Sequence, residues 1–140
     1  MTTRTPRVAA AAALLAAWGL GACKLDTDTT PHGAVRKFLE QLDRGQCDRA
    51  WAMLSANRRD QFENEFRRLG ARAQVPSAVE LACRPRPGNP YPGLVATSVQ
   101  LQGSTGENAD VWVDAKDGSK WMVQVVKEGT GWRVENARPQ

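Results

Sequence analysis

The sequence predicts a domain of the α+β class, with helices packed on one face of an antiparallel sheet. Two observations predict this class. Apolar residues recur at helical spacing between residues 31 and 69, whereas the chain after residue 77 is rich in β-forming residues separated by turn sequences. Helices first and a run of strands second is the chain order of an α+β domain.

The first predicted helix begins at Thr30-Pro31. A threonine side chain can accept a hydrogen bond from the free N–H groups of a helix start, and proline is favoured at the first helical position because that N–H has no partner there. One apolar stripe follows at the spacing i, i+3, i+4 and i+7, and Gly45 ends the helix. The stripe consists of Val35, Phe38, Leu39 and Leu42.

Two further helices are predicted before residue 70. The second is short, begins at about Asp48 and contains Trp51, whereas the third is capped by Ser55 and ends at Gly70. We expect five large apolar side chains of the helices to be buried against the sheet: Phe38, Leu42, Trp51, Phe62 and Phe66.

Five segments are predicted to be strands: residues 78–84, 94–102, 109–115, 120–128 and 132–136. Asp117-Gly118 and Gly129-Thr130-Gly131 provide tight turns, so 109–115 should pair with 120–127, and 120–127 with 132–136. Segment 84–93 contains four prolines in ten residues, which predicts a loop.

The N-terminus has the features of a secretory signal peptide. Arg4 and Arg7 precede the apolar residues 8–22, a segment of fifteen residues. A helix that spans a bilayer needs about 20 apolar residues, so a retained membrane anchor is the weaker interpretation.

The end of this segment, Leu20-Gly21-Ala22-Cys23, resembles the bacterial lipobox. The resemblance implies cleavage before Cys23, a diacylglycerol thioether on its thiol and an acylated new N-terminus. A non-lipidated signal with an incidental cysteine is the alternative. Lys24 stands where the inner-membrane retention signal of enteric bacteria has aspartate. We therefore expect signal peptide 1–22, a tether over 23–30, and attachment through the lipid to the periplasmic face of the outer membrane.

The charge of the chain gives no support to nucleic-acid binding. The formal net charge is +4, and half of it belongs to Arg4 and Arg7 in the predicted signal peptide. The arginines of the third helix alternate with Asp60, Glu63 and Glu65, which is typical of a solvated face with ion pairs. We expect no nucleic-acid partner.

Cys47 and Cys83 are the two cysteines outside the lipobox. An exported protein occupies an oxidising compartment, so a disulfide between them is predicted, which would join the second helix to strand 78–84. A metal site or a catalytic thiol is the alternative, but His32 is the only histidine and no C-x-x-C motif is present. We expect no metal and no cofactor.

Two stretches resemble the small NTF2-like (cystatin-like) domains of bacterial lipoproteins. They are PHGAVRKFLEQLDRGQCDRAWAMLS, which begins at Pro31, and VVKEGTGWRVENA, which ends at Ala137. The resemblance covers residues 31–137 and rests on core and turn positions. It implies a cone, in which the N-terminal helices cover a curved antiparallel sheet. Independently of the resemblance, Trp51 is the largest side chain of the short second helix and can close the open end of such a sheet.

No set of residues with the pattern of a catalytic site is found. Asp110, Trp112 and Asp114 form the one polar-aromatic cluster on a predicted strand, and solvation of a strand explains these acids more simply. We therefore expect a lipid-anchored, non-catalytic binding or scaffolding protein of the cell envelope. The alternative is a small NTF2-like enzyme, of the isomerase, dehydratase or hydrolase type, that uses the pocket of the cone.

If the domain acts by contact, the loop 84–93 is the first choice for its surface. Arg84 and Arg86 offer bidentate donors, and Tyr91 is an aromatic residue of the kind that dominates interfaces. An envelope protein would be the partner. The alternative is that the loop is a stiff connection between two strands.

Overall fold

The computed structural model describes residues 29–87 and 89–140. The predicted signal peptide, Cys23 and the tether up to residue 28 lie outside the described residues. Among the residues described, no helix has both the length and the hydrophobicity needed to cross a membrane.

In the described part of the chain, four α-helices precede four strands, which confirms the α+β class. The helices are α1 (Pro31–Asp43), α2 (Cys47–Ala52), α3 (Ala56–Leu69) and α4 (Ala78–Cys83). The strands are β1 (Ala96–Thr105), β2 (Asn108–Ala115), β3 (Lys120–Glu128) and β4 (Gly131–Pro139). Short 3-10 turns lie at Gly70–Ala73 and Tyr91–Gly93.

Helices α1 and α3 begin and end where the sequence predicts. Thr30 Oγ1 accepts a hydrogen bond from the Gly33 N–H at 3.2 Å, and Ser55 Oγ accepts one from the Arg58 N–H at 3.0 Å. Gly45 follows α1 with a φ of 69°, a conformation that glycine adopts without the strain of a Cβ atom.

The start of α2 differs from the prediction. The helix begins at Cys47, after Gln46, which makes no side-chain capping bond. Asp48 lies in the first turn and is not the cap. Its negative charge there is favourable because the N-terminal end of a helix carries partial positive charge.

The predicted strand 78–84 is wrong, because these residues form α4. Ser77 Oγ accepts a hydrogen bond from the Glu80 N–H at 3.3 Å, and Ser77 with Glu80 has the spacing of a capping box. Ala78, Leu81 and Ala82 are the buried residues of this helix, at the spacing i, i+3 and i+4. Local capping and the helix propensity of alanine, glutamate and leucine therefore outweigh the apolar composition of residues 78–84, which suggested a strand.

The four strands form one antiparallel meander in the order β1-β2-β3-β4, which confirms the predicted pairing of the last three strands. Val113 lies opposite Trp121, and Val125 lies opposite Val134. Alternate residues of the strands point towards the helices, and together with α1 they form the core. Valines of β2, β3 and β4 are at most 1% exposed: Val111, Val113, Val123, Val125 and Val134.

The two edges of the sheet differ. At β4, the Val134 N–H donates to the Met53 carbonyl and the Ser55 N–H donates to the Val134 carbonyl, both at 2.8 Å. The α2–α3 connection thus covers the middle of this edge. At β1, the described residues contribute no strand or bridge on the side away from β2.

A disulfide joins Cys47 to Cys83, with their Cα atoms 5.6 Å apart. The pairing is the one that the sequence predicts, but the partner element is not. The bond connects the start of α2 to the end of α4, and neither end lies in the sheet.

Burial of the helical side chains follows the prediction in part. Phe38 and Phe62 are buried, whereas Leu42, Trp51 and Phe66 are only half-buried. The Trp51 ring packs at a tilt against Phe62, with ring centroids 6.3 Å apart. Helix α2 has only six residues and buries Ala50 alone, so part of the indole stays in contact with solvent.

Removal of the disulfide should lower the stability of the domain substantially. Cys47→Ala combined with Cys83→Ala opens a link between residues 36 positions apart, and the entropy of such a loop corresponds to about 3–4 kcal/mol of unfolding free energy. Thermal unfolding of the purified full chain measures the effect. Reductant should lower the melting temperature of the wild type and leave that of the double variant unchanged. A reductant-insensitive wild type would contradict the disulfide.

Candidate functional site

The loop 84–93, which the sequence predicts to be a contact surface, is bound to the helical layer. Asn89 is 3% exposed, and its Nδ2 donates hydrogen bonds to the carbonyls of Ala82 at 2.8 Å and Arg84 at 3.1 Å. The Arg86 guanidinium forms an ion pair with Glu65 of α3 and is half-buried. Both interactions draw the loop towards α3 and α4.

Tyr91 is 2% exposed, so the prediction that it is an available aromatic anchor is wrong. Its ring packs edge-on against Phe38, with centroids 5.2 Å apart and an interplanar angle of 85°. The Arg58 guanidinium lies 4.6 Å from the Phe62 ring centroid and 6.0 Å from that of Tyr91. A buried aromatic ring contributes much of the apolar area of a small core, which favours the inward position.

Of the three predicted contact residues, Arg84 alone is exposed. Arg86 has its guanidinium committed to Glu65, and Tyr91 is a core residue. The loop is therefore better described as a connection that helps to close the core, which was the alternative that the sequence left open.

Burial also determines the chemistry of the Tyr91 hydroxyl. Loss of solvation raises the pKa of Tyr91 well above its usual value, and Glu135 adds to this effect, whereas the positive charge of Arg58 opposes it. Within the described residues the hydroxyl has no hydrogen-bond partner. The hydroxyl therefore stays protonated at neutral pH.

The interior between the helices is filled by side chains. Aromatic rings of α1, α2 and α3 and of Tyr91 meet the Cys47–Cys83 bond there, and the gap between them is too small to admit a water molecule. An enzyme that used the interior would need a cavity of several hundred Å³ with a reactive group at its wall. The filled interior therefore gives no support to that alternative.

The polar-aromatic cluster on β2 lies on the outer face of the sheet. Val111 and Val113 point towards the helices, so Asp110, Trp112 and Asp114 point away from them. Asp114 lies 3.9 Å from the Lys120 ammonium on the neighbouring strand. These groups do not reach the interior, and their position agrees with solvation of the outer face.

His32 and the carboxylates are dispersed in the fold. His32 lies in the first turn of α1 and is half-buried. Over residues 29–87 and 89–140, no three histidine, cysteine, aspartate or glutamate side chains are grouped closely enough to hold a metal ion.

A groove of about 260 Å³ lies between α1 and β1. Its α1 side carries Arg36, Leu39, Glu40 and Asp43, and its other side is the backbone and side chains of 94–99. The sequence analysis did not identify this site. The signal that could have found it is the absence of any charged residue from β1, which is unusual at the edge of a sheet.

A second depression, of about 460 Å³, lies beside Trp121. The indole Nε1–H donates to Ser119 Oγ at 3.0 Å, and the Ser119 hydroxyl donates to Asp117 Oδ1 at 2.6 Å. These polar groups are bonded to one another, so few of them are free to orient a ligand. The groove between α1 and β1 offers charged side chains instead.

Comparison of the chain with protein-family models, curated proteins and solved structures finds no match. The resemblance to NTF2-like lipoprotein domains therefore rests on the sequence pattern alone.

The buried position of Tyr91 predicts the alkaline behaviour of the chain. Unfolded tyrosine ionises near pH 10.0, whereas the folded residue stays protonated above that value, so stability falls as pH rises above 10. Because the chain has one tyrosine, tyrosinate absorbance reports this residue alone. We expect no tyrosinate until the chain unfolds, whereas the urea-unfolded chain should titrate near 10. Native ionisation near 10 would refute the burial of the hydroxyl.

Two variants of Tyr91 separate the ring from its hydroxyl. Tyr91→Phe removes a group that has no partner, so the unfolding free energy should change by less than about 1 kcal/mol. Tyr91→Ala opens a cavity in the core and should cost about 3–5 kcal/mol. Equal effects of the two variants in urea unfolding would show that the ring is not part of the core.

Proposed function

We propose that this protein is a lipid-anchored lipoprotein of the bacterial cell envelope, whose domain acts by binding or scaffolding without catalysis. The observation that carries the proposal is Leu20-Gly21-Ala22-Cys23, placed after a basic start and a short apolar segment. Small residues before the cysteine give a membrane protease access to the bond, and the thiol is the group that forms the thioether. Lys24 favours the outer membrane over the inner membrane.

The disulfide supports export. Structural disulfides form and persist in oxidising compartments such as the periplasm and are rare in the cytosol. The bond between Cys47 and Cys83 lies within the domain, so it suits a domain that functions outside the cytoplasm.

The finer fold that we propose is the NTF2-like cone. Its support is the arrangement of helices on one face of a four-stranded antiparallel sheet, together with the matching sequence pattern. Several positions of that pattern are core residues, among them Ala34, Val35 and Phe38. This gives the pattern a physical basis, since such positions determine how α1 packs on the sheet.

The filled interior favours binding over catalysis. An enzyme would need an enclosed cavity for its substrate, and the space between the helices is instead filled by aromatic side chains. The Tyr91 hydroxyl, the one polar group of the tyrosine ring, is sealed among them. The outer surface and its groove are then the parts that can recognise a partner.

Lipidation is tested by growth with a labelled fatty acid in a bacterium that has two membranes. The wild-type chain should incorporate the label and Cys23→Ser should not, because the thioether needs a thiol. Cys47→Ala with Cys83→Ala is the control and should keep the label, since its lipobox is intact. Equal labelling of wild type and Cys23→Ser would overturn the proposal.

Membrane assignment is tested by a change next to the anchor. In an enteric host, the wild type should fractionate with the outer membrane, and Lys24→Asp should move the chain to the inner membrane because it restores the retention signal. Lys24→Ala is the matched control and should stay in the outer membrane. Inner-membrane recovery of the wild type would contradict the assignment.

A further inference from the structure

We propose that the free edge of β1 binds an extended basic peptide segment of an envelope protein by strand addition, with side chains of the peptide entering the groove between α1 and β1. The inference rests on the proposed function and deepens it, because it names the contact surface and the chemistry of the partner.

The first argument is the unequal treatment of the two sheet edges. The middle of the β4 edge is covered by Met53 and Ser55, whose backbone groups bond to Val134. The β1 edge has no such cover within the described residues, although β1 is the longest strand, with ten residues. An uncovered edge presents unpaired N–H and C=O groups, which are the groups that an added strand uses.

The second argument is the composition of β1. Natural sheet edges are usually protected by charged side chains, lysine above all, or by proline. Residues 96–105 contain neither a charged residue nor a proline. Val95 and Leu101, which are 51% and 44% exposed, are the two large exposed hydrophobic residues of the described chain, and both lie along this edge.

Irregularities of β1 define which part of it can pair. The register shifts between Ala96 and Ser98 and again between Leu101 and Gly103. Between these shifts, residues 98–101 pair with β2 in an unbroken register. The peptide that fits is therefore short, with a central run of about four residues in contact with the edge.

The third argument is the chemistry of the groove. Leu39, Leu94 and Val99 are buried side chains at its floor. Its α1 rim carries Arg36, Glu40 and Asp43, which are exposed and have no ion-pair partner among the described residues. Two acids and one base give the rim a net negative charge, so it favours a peptide with basic side chains.

The same charges argue against a second copy of this chain as the occupant. A second β1 brings no charged residue to the edge, so that strand offers no basic partner to Glu40 or Asp43. In a peptide strand, every second side chain points to the same face, so a basic residue can reach the rim while its apolar neighbours cover the edge.

The test uses the full chain, purified in a non-ionic detergent, and two synthetic probes. The basic probe is Lys-Val-Thr-Val-Lys-Val-Thr, and the acidic probe has glutamate in place of both lysines. We expect the basic probe to slow amide hydrogen exchange over 96–105 and to bind about five- to tenfold more tightly than the acidic probe, which corresponds to two partly exposed ion pairs.

Charge reversal at the rim supplies the decisive variant. Glu40→Lys with Asp43→Lys should invert the preference, so that the acidic probe binds more tightly. Asp60→Lys with Glu63→Lys makes the same change of net charge on the exposed face of α3 and should leave the preference unaltered. All four residues are exposed, so both variants keep the core intact.

Three results would overturn the inference: no protection of 96–105, equal binding of the two probes, or an unaltered preference after reversal at Glu40 and Asp43. Concentration-dependent protection of β1 without any probe would also overturn it, in favour of a second copy. Probe binding in detergent does not depend on the acyl chains. If the peptide test fails, the proposed lipidation of Cys23 is unaffected. If the fatty-acid label is absent, the result of the peptide test is unaffected.

Discussion

Cys47 and Cys83 connect two helices of six residues each, and a helix of that length does not persist by itself in water. With the bond in place, α2 and α4 pack against each other and against α1 and α3, and they add Ala50, Leu81 and Ala82 to the core. The position of the next loop depends on α4, because Asn89 bonds to the carbonyl of Ala82. Tyr91 then enters the core against Phe38 and fills the interior. The covalent link between two short helices thus stabilises the helical layer from which this closed interior is built.

The sequence predicted the parts of the fold that local chemistry determines. Thr30, Ser55 and Gly45 carry capping or terminating signals that act within one turn, and the turns at Asp117-Gly118 and Gly129 define hairpins between neighbouring strands. The prediction failed for α4, because a short apolar segment fits the periodicity of a helix as well as that of a strand. The capping bond of Ser77 favours the helix.

The site was harder to predict than the fold because it depends on long-range packing. A proline-rich loop with two arginines and a tyrosine has the composition of a contact surface, yet Asn89 and the Glu65–Arg86 pair bring it back onto the helices. These partners are distant in sequence, so no local pattern indicates them. Likewise, the uncharged sequence of β1 indicates a binding edge only once the sheet order shows that β1 is an uncovered edge strand.

If Cys23 carries the lipid that we propose, a domain with a closed core acts through its surface, close to the membrane. The most direct test is the intact mass of the chain extracted from bacterial membranes. We expect one species that begins at Cys23, carries the diacylglyceryl and N-acyl groups, and shows the mass deficit of the Cys47–Cys83 disulfide. A chain recovered in the soluble fraction with an unmodified Cys23, or a membrane-bound chain with two free thiols, would contradict a disulfide-closed, lipid-anchored domain.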